Sequence, residues 1–320
     1  MKKLISLVIT AAMLLALCAC GSTDQPSGKK TYTVGICQLI QHAALDAATE
    51  GFKAALTEKL GDSVTFLYQN ASGDSATCAT ICSQFVSDDV DLIMANATAA
   101  LQAAAAATNS IPILGTSISD YGTALGIDDW TGKTGTNISG TSDLAPLDGQ
   151  ADMVSELFPD AKIAGLLFCS GEPNSRYQAD VIAPLLEANG LEVREYTFSD
   201  SNDVAAVTAS ACADCDVLYI PTDNTAASCT EAINNVALEA GVPIVTGDEG
   251  TCTGCGAAAL SISYYDLGYT TGEMAAEILV NGADPSEMEI KFAPSVTKEY
   301  NAAICEALGV TVPEDYTAIA

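Results

Sequence analysis

Asp91-Leu92-Ile93, Ala97-Thr98-Ala99-Ala100 and Ile111-Pro112-Ile113 in the first half of the chain return in the second half as Asp216-Val217-Leu218, Asn224-Thr225-Ala226-Ala227 and Val242-Pro243-Ile244. In each set an apolar strand gives way to an Ala- and Thr-rich helix and then to another apolar strand, and such a recurrence marks a duplicated unit. Outward from these stretches the alternation continues. The first series reads as strand 31–39, helix 43–60, strand 63–68, helix 75–87, strand 91–95, helix 98–108 and strand 111–114. A polar, Gly/Thr/Ser-rich stretch from Thr116 to Thr141 follows. The second series reads as strand 162–169, helix 174–188, strand 192–197, helix 201–211, strand 216–220, helix 225–240 and strand 243–246. Short apolar strands separated by helices call for parallel sheets covered on both faces. The expected fold is α/β, with two doubly wound parallel-sheet lobes. Ligands of such sheets sit beyond the carboxyl ends of the strands, so two facing lobes form a clamshell with a cleft between them.

The chain of 320 residues has 49% apolar and 17% charged residues, a composition that buries a core. Its 12 basic residues stand against 41 acidic ones, a net charge of −29 that repels nucleic acid and anionic lipid surfaces. Met1-Lys2-Lys3 and the apolar run Leu4 to Leu17 have the form of an export signal, too short to span a bilayer. The run ends in Leu17-Cys18-Ala19-Cys20-Gly21-Ser22, which resembles a bacterial lipobox with Cys20 as the lipidated residue. Residues 21–30 read as a flexible tether. Removal of the leader with Lys2 and Lys3 leaves ten basic residues and a net charge of −31. No G-x-S-x-G, H-E-x-x-H or Walker sequence is present, and the single histidine, His42, cannot complete a triad or a usual metal site, so the expected activity is binding, without catalysis, cofactor or metal.

Several further motifs carry a resemblance. They are Val34-Gly35-Ile36-Cys37-Gln38-Leu39 with His42-Ala43-Ala44-Leu45-Asp46-Ala47, Asn70-Ala71-Ser72-Gly73-Asp74, Ala95-Asn96-Ala97-Thr98, Ser117-Ile118-Ser119-Asp120 and Gly140-Thr141-Ser142-Asp143-Leu144. Asn174-Ser175, Pro221-Thr222-Asp223-Asn224-Thr225, Gly247-Asp248-Glu249 and Tyr264-Tyr265-Asp266-Leu267-Gly268 continue it. In this order they resemble the substrate-binding lipoproteins of ABC importers, in the group that includes binders of tryptophan-type aromatic amino acids. Tyr121-Gly122-Thr123 departs from that pattern, where the family has a Pro-containing turn. The resemblance implies a type I periplasmic-binding-protein fold, extracytoplasmic and tethered by lipid at Cys20, with an N-terminal lobe of residues 31–139 plus 264–290 and a C-terminal lobe of 140–263 plus 291–320. It implies a small amino-acid ligand, aromatic rather than a sugar, handed as a monomer to an ABC permease and its ATPase, with the anchor as its only membrane contact. A sensor role and, further off, a thiol-redox role are the alternatives.

The ligand-binding candidates follow the strand ends. Thr98, where a strand gives way to a helix, offers a hydroxyl and free N–H groups at the positive end of the helix dipole, suited to a carboxylate, although Thr is also a routine N-cap. Asn96 belongs to the same motif. Asn174 and Ser175 open a helix of the second lobe and could clamp the same anion. Asp223, Asn224 and Asp248 stand at strand ends, placed to receive an ammonium, though Asp also simply forms turns. His42 and Gln38 lie at the first strand–helix loop, and Ser117 and Asp120 follow the fourth strand. Trp130 and Tyr264-Tyr265 are candidate aromatic walls or packing residues. Of 12 cysteines, Cys212-Ala213-Asp214-Cys215 and Cys252-Thr253-Gly254-Cys255 form C-x-x-C pairs. Disulfides and free thiols are both open. The first pair precedes a strand and the second reads as part of a Gly-rich loop, so neither has the thioredoxin setting.

Overall fold

The computed structural model describes residues 30–319. The leader, Cys20 and the tether to residue 29 lie outside them. Two sheets are present, and their strand orders repeat each other. Five strands, β1 (Tyr32–Gln38), β2 (Val64–Asn70), β3 (Leu92–Asn96), β4 (Ile113–Ile118) and β5 (Ile138–Ser142), pair in the order 2-1-3-4-5. A second five, β6 (Ile163–Cys169), β7 (Glu192–Phe198), β8 (Val217–Ile220), β9 (Ile244–Thr246) and β10 (Ala258–Ser261), pair as 7-6-8-9-10, the same order. All of these pairings are parallel. The short β11 (Lys291–Phe292) extends the first sheet beside β5, and β12 (Thr297–Tyr300), antiparallel to β10, and β13 (Thr317–Ala318) extend the second. The repeated aspartates have matching work. Asp91 accepts the backbone N–H of Thr33 at 2.7 Å, and Asp216 that of Lys162 at 2.8 Å, so each fixes the start of its lobe's first strand.

Helices cover both faces of each sheet. In the first lobe α1 (Ala43–Leu60) lies on one face, and α2 (Ser75–Ser87) and α3 (Thr98–Ala107) lie on the other. The second lobe has α5 (Leu147–Leu157) and α6 (Pro173–Ala188) opposite α7 (Val204–Asp214) and the pair α8 (Asn224–Ser228) and α9 (Thr230–Ala240). α4 (Tyr121–Leu125), α10 (Glu249–Cys255) and α12 (Ala302–Leu308) are short, and α11 (Tyr264–Asn281) returns to the first lobe to pack on α1. Asp74, Asp120, Asp223, Asp248, Ser263 and Asn301 cap the helices they precede, each accepting a first-turn N–H.

Several expectations need correction. The crossovers between lobes fall a few residues later than at 139 and 290. Ile138–Ser142 and Lys291–Phe292 belong to the first sheet, so the chain crosses after Ser142, between Ser261 and Tyr264, and between Phe292 and Thr297. β5 lay hidden in the polar stretch because it is buried through hydroxyls. Thr141 Oγ1 meets Thr116 Oγ1 at 3.2 Å and Thr271 Oγ1 at 2.8 Å. Helix 225–240 is two helices that meet at Cys229. Cys252 and Cys255 lie on α10, a helix that follows a strand, and not in a loop.

α1 and α11 touch backbone to backbone. A Cβ on Gly268 would fall on the carbonyl of Ala48, and one on Gly51 on that of Tyr265. Overpacking such a contact costs about 1–3 kcal/mol, so Gly268→Ala is expected to lower the melting temperature by roughly 2 to 10 °C. Gly171→Ala, whose Cβ would meet only Cys169 Sγ at 3.7 Å, serves as the control and should melt like the parent. Identical melting of the two variants would show that the helices can part without cost.

Candidate functional site

Strand order reverses between β1 and β3 and again between β6 and β8, and at such switch points the connecting loops diverge to leave a crevice. The two crevices face each other and enclose a tight chamber with room for about one water molecule. The first lobe and the crossovers bring His42, Ala44 and Leu45 from the start of α1, Ser117 and Ser119 from the end of β4, Asp143 after β5, and Tyr264 at the start of α11. The second lobe brings Asn174, Thr222 to Asn224, Ala227 and Asp248. A larger cavity of about 380 Å³ lies outward, lined by Leu39, Ile40 and Ala99 from one lobe and by Cys169, Gly171 and Glu172 from the other, with Asn224 common to both spaces.

Six of the eleven candidates therefore line the chamber: His42, Ser117, Asn174, Asp223, Asn224 and Asp248. Ser175 stands directly behind, donating its hydroxyl to Asp223 Oδ2 at 2.7 Å. Four do not reach it. Gln38 is spent on its own lobe, donating to Asp46 Oδ1 at 2.7 Å and to the Ile40 carbonyl, and accepting from Thr49 Oγ1 at 2.7 Å. Asn96 donates to the Leu45 carbonyl and to Thr49 Oγ1, in the same buried network. Thr98 is buried in the first turn of α3 without lining the chamber, and Asp120 caps α4 outside it. Of the candidate aromatic walls, Tyr264 is at the chamber, Tyr265 is exposed and stacks on Tyr269, and Trp130 stacks on Tyr121 elsewhere. Sequence reasoning missed Asp143, Ser119 and Thr222 as site residues, and it missed Glu172. The last accepts hydrogen bonds from the backbone and side chains of both Asn224 and Thr225, sealing the start of α8.

The chamber is acidic and neither lysine nor arginine lines it. Burial is the main reason that the Asp143 carboxyl is pushed up to about 6; the nearby Asp248 charge adds to it, and the hydrogen bond from Tyr264, with the Ser119 hydroxyl nearby, opposes it. Asp223 is raised as well, first by burial and then by the Glu172 charge. Ser117 has φ +57°, a left-handed backbone that a non-glycine residue adopts at a cost of about 1–3 kcal/mol and that clusters at functional sites. The C-x-x-C cysteines show no such activation. All ten among the described residues are free thiols. Burial raises Cys252, Cys255, Cys212 and Cys215, which leaves them protonated and poorly nucleophilic.

Residues 33–320 match the family described as ABC transporter substrate binding protein. A tyrosine-binding protein of Clostridioides difficile is 37% identical over 291 residues, 87% of this chain and 84% of its own length. The chain belongs to the ABC transporter substrate-binding family. Its members are solute-binding proteins, not enzymes, and act outside the cytoplasm. An L-tryptophan complex from Streptococcus pneumoniae superposes with a TM-score of 0.86 at 28% identity, covering 91% of this chain and all of that one. A ligand-free, open substrate-binding protein with adhesive properties from Clostridium difficile superposes at only 0.69, although it is 37% identical and covers 90% of this chain and 99% of its own. The nearer relative in sequence is the farther one in shape, so the lobes here depart from that open arrangement, and direct contacts join them. His42 Nε2 to Asn224 Oδ1 at 3.3 Å and Gln178 Nε2 to Ser119 Oγ at 3.1 Å bridge them.

The raised Asp143 carboxyl sets a pH dependence. Below pH about 4 it is protonated in the folded and unfolded chain alike. Between about 4 and about 6 only the folded chain holds the proton, so stability falls as pH rises, and above about 6 the full cost is present. The ligand-free protein is expected to melt higher near pH 5 than near pH 7.5, and Asp143→Asn to reduce that difference. An unchanged difference in the variant would mean that Asp143 ionises as it does in the unfolded chain.

Proposed function

We propose that this chain is the lipid-anchored solute-binding subunit of an ABC importer and that its ligand is an aromatic amino acid. The observation that carries the reading is the closed chamber at the paired switch points, acidic and lined by no lysine or arginine. Such a lining favours a group that carries a positive charge and disfavours a purely anionic solute. A neutral sugar would leave the buried carboxylates without a counter-charge, and sugar rings usually stack on tryptophans, of which the chain has one, remote from the chamber. The tyrosine-binding relative and the tryptophan-bound neighbour favour an aromatic side chain. Anchorage rests on the lipobox at Leu17 to Ser22, with Cys20 as the acylated residue and residues 21–30 as the tether. Ligand captured between the lobes stabilises the closed state by its differential affinity for that state, and the permease reads it.

Residues 21–320, unfolded and refolded to remove bound solute, are expected to show raised melting with L-tyrosine, L-tryptophan or L-phenylalanine. At ~1,000 times the dissociation constant the gain is roughly 4 kcal/mol. A shift with sugars or nucleosides alone would overturn the aromatic assignment. In cells fed a labelled fatty acid, the full chain should take up label and Cys20→Ala should not; label retained by the variant would move the anchor elsewhere.

A further inference from the structure

Three carboxylates reach the inner chamber, and they differ in what they have left to offer. Asp223 accepts the Ala226 N–H on Oδ1, and the Cys169 N–H and Ser175 hydroxyl on Oδ2. Asp248 accepts the Thr251 N–H on one oxygen and the Thr251 hydroxyl on the other. Asp143 accepts only Tyr264 Oη, at 3.0 Å on Oδ2, and its Oδ1 has no partner although the residue is 3% exposed. A buried carboxylate oxygen without a partner is costly. The second orphan is Ser117 Oγ, on a residue 7% exposed. Asp143 N donates to the Ile118 carbonyl at 3.2 Å, so the two orphans sit on neighbouring strand ends. The N-terminus of α1 opens on the same chamber through Ala44 and Leu45, and no side chain caps it. Its free N–H groups and dipole suit an anion.

The outer cavity has the opposite character. Its carboxylates are already engaged, Asp74 by the N–H groups of Ala76 and Thr77, Asp200 by the N–H and side-chain amide of Asn202, and Glu172 by Asn224 and Thr225. It is far roomier than the inner chamber, and among a mostly polar lining it carries the apolar side chains of Leu39, Ile40 and Ala99. We propose that the ligand's amino-acid head group lies in the inner chamber, its ammonium on Asp143 Oδ1 and its carboxylate on Ser117 Oγ and the first-turn N–H groups of α1, with the side chain directed into the outer cavity. This placement rests on the reading of the protein as an amino-acid binder and adds which atoms read each end of the ligand. Asp143 works among Tyr264, Asp248, Asp223 and His42, the titratable groups that face it from α11, the β9 and β8 ends and the start of α1. None of these supplies a fixed positive charge. An ammonium would, so it holds the carboxyl ionised and its arrival expels a proton at acid pH.

Calorimetry with L-tyrosine, tyramine and 3-(4-hydroxyphenyl)propionic acid separates the two ends. For residues 21–320, L-tyrosine affinity is expected to fall about tenfold per pH unit below pH 6, with proton release seen as heats that depend on the buffer. Asp143→Asn should weaken L-tyrosine at least 100-fold near pH 7.5 and flatten the fall below pH 6, while its ligand-free melting temperature, with the buried charge gone, is no lower than the parent's. Ser117→Ala should weaken L-tyrosine but leave tyramine unchanged. Ala99→Phe, which fills the outer cavity, should weaken L-tyrosine at least tenfold and spare L-alanine. If the parent binds L-tyrosine and Asp143→Asn binds it equally well, the ammonium placement is overturned and the importer reading stands. If Ala99→Phe leaves L-tyrosine untouched, the side-chain direction is overturned. A parent that binds no amino acid overturns the functional reading, and the placement with it.

Discussion

The close contact of α1 with α11 is the constraint on which the site depends. The two helices run side by side, with Ala48 against Gly268, Gly51 against Tyr265 and Tyr269, and Phe52 against Gly272. Only glycine lets two helix backbones approach so closely, and interiors packed to crystal density do not absorb an added methyl without a shift. What this contact fixes at its far end is chemistry. α1 begins just after His42 and α11 begins at Tyr264, so both helices start at the inner chamber. The segment that leaves the second lobe after β10 thereby becomes part of the first, and Tyr264 meets Asp143 as a consequence of core packing.

The chamber holds buried carboxylates without buried cations, an arrangement that proteins normally avoid. Each acid is made tolerable differently. Asp223 and Asp248 act as N-caps, so backbone N–H groups and hydroxyls take the place of water. Glu172 gathers four hydrogen bonds at the start of α8, where helix-end amides favour negative charge. Asp143 has one close donor, the Tyr264 hydroxyl, and burial lifts it to about 6, while burial and the neighbouring Glu172 charge lift Asp223 further, to about 8. An uncompensated group is a cost to the empty protein and an opportunity for a ligand, because the ligand's charge relieves what the fold leaves unsatisfied.

Much of the architecture was legible because its signals are periodic. Ala44, Ala48, Phe52 and Ala55 recur at helical spacing on the buried side of α1, and its ends fall where the pattern stops. The duplicated Asp-led strands carried the two-lobed topology. The failures have physical causes. β5 is buried through threonine, serine and glycine, which carry no apolar alternation, and with β5 unseen Asp143, although part of a quoted motif, is not placed at a strand end facing the cleft. α10 looked like a loop because Gly250 and Gly254 were taken as signs of freedom. Gly254 marks a close approach to the Thr230 side chain, and Gly250 faces Ala43 and Ala44 of the other lobe at ordinary contact distance. Gln38 and Asn96 were placed correctly at strand ends, yet position along a strand does not tell whether a side chain turns to the cleft or into its own lobe. Thr49, one residue in the middle of a helix, draws both of them inward.

The closed arrangement is held lightly. Asn224 Nδ2 is committed to Glu172 at 2.7 Å, so its amide oxygen faces His42, and His42 must donate from Nε2. Gln178 reaches Ser119 with an Nε2 that also serves its own lobe's Asn174 and Thr222 carbonyls. Neither bridge pairs opposite charges, and hydrogen bonds of this kind contribute about 1 kcal/mol each once water is counted. Two such bonds shift an open–closed equilibrium by roughly thirtyfold at most, whereas carrying it from 1:99 to 99:1 takes about 5.5 kcal/mol. The remainder has to come from a group that is satisfied only when the lobes are shut. Asp143 and Ser117 lie on the first-lobe side of the chamber and Asn174, Asp223 and Asp248 on the second. A solute whose head group rests on the first-lobe pair and whose side chain enters the outer cavity, lined from both lobes, gains its full set of contacts in the closed state alone, and that difference lets closure report occupancy.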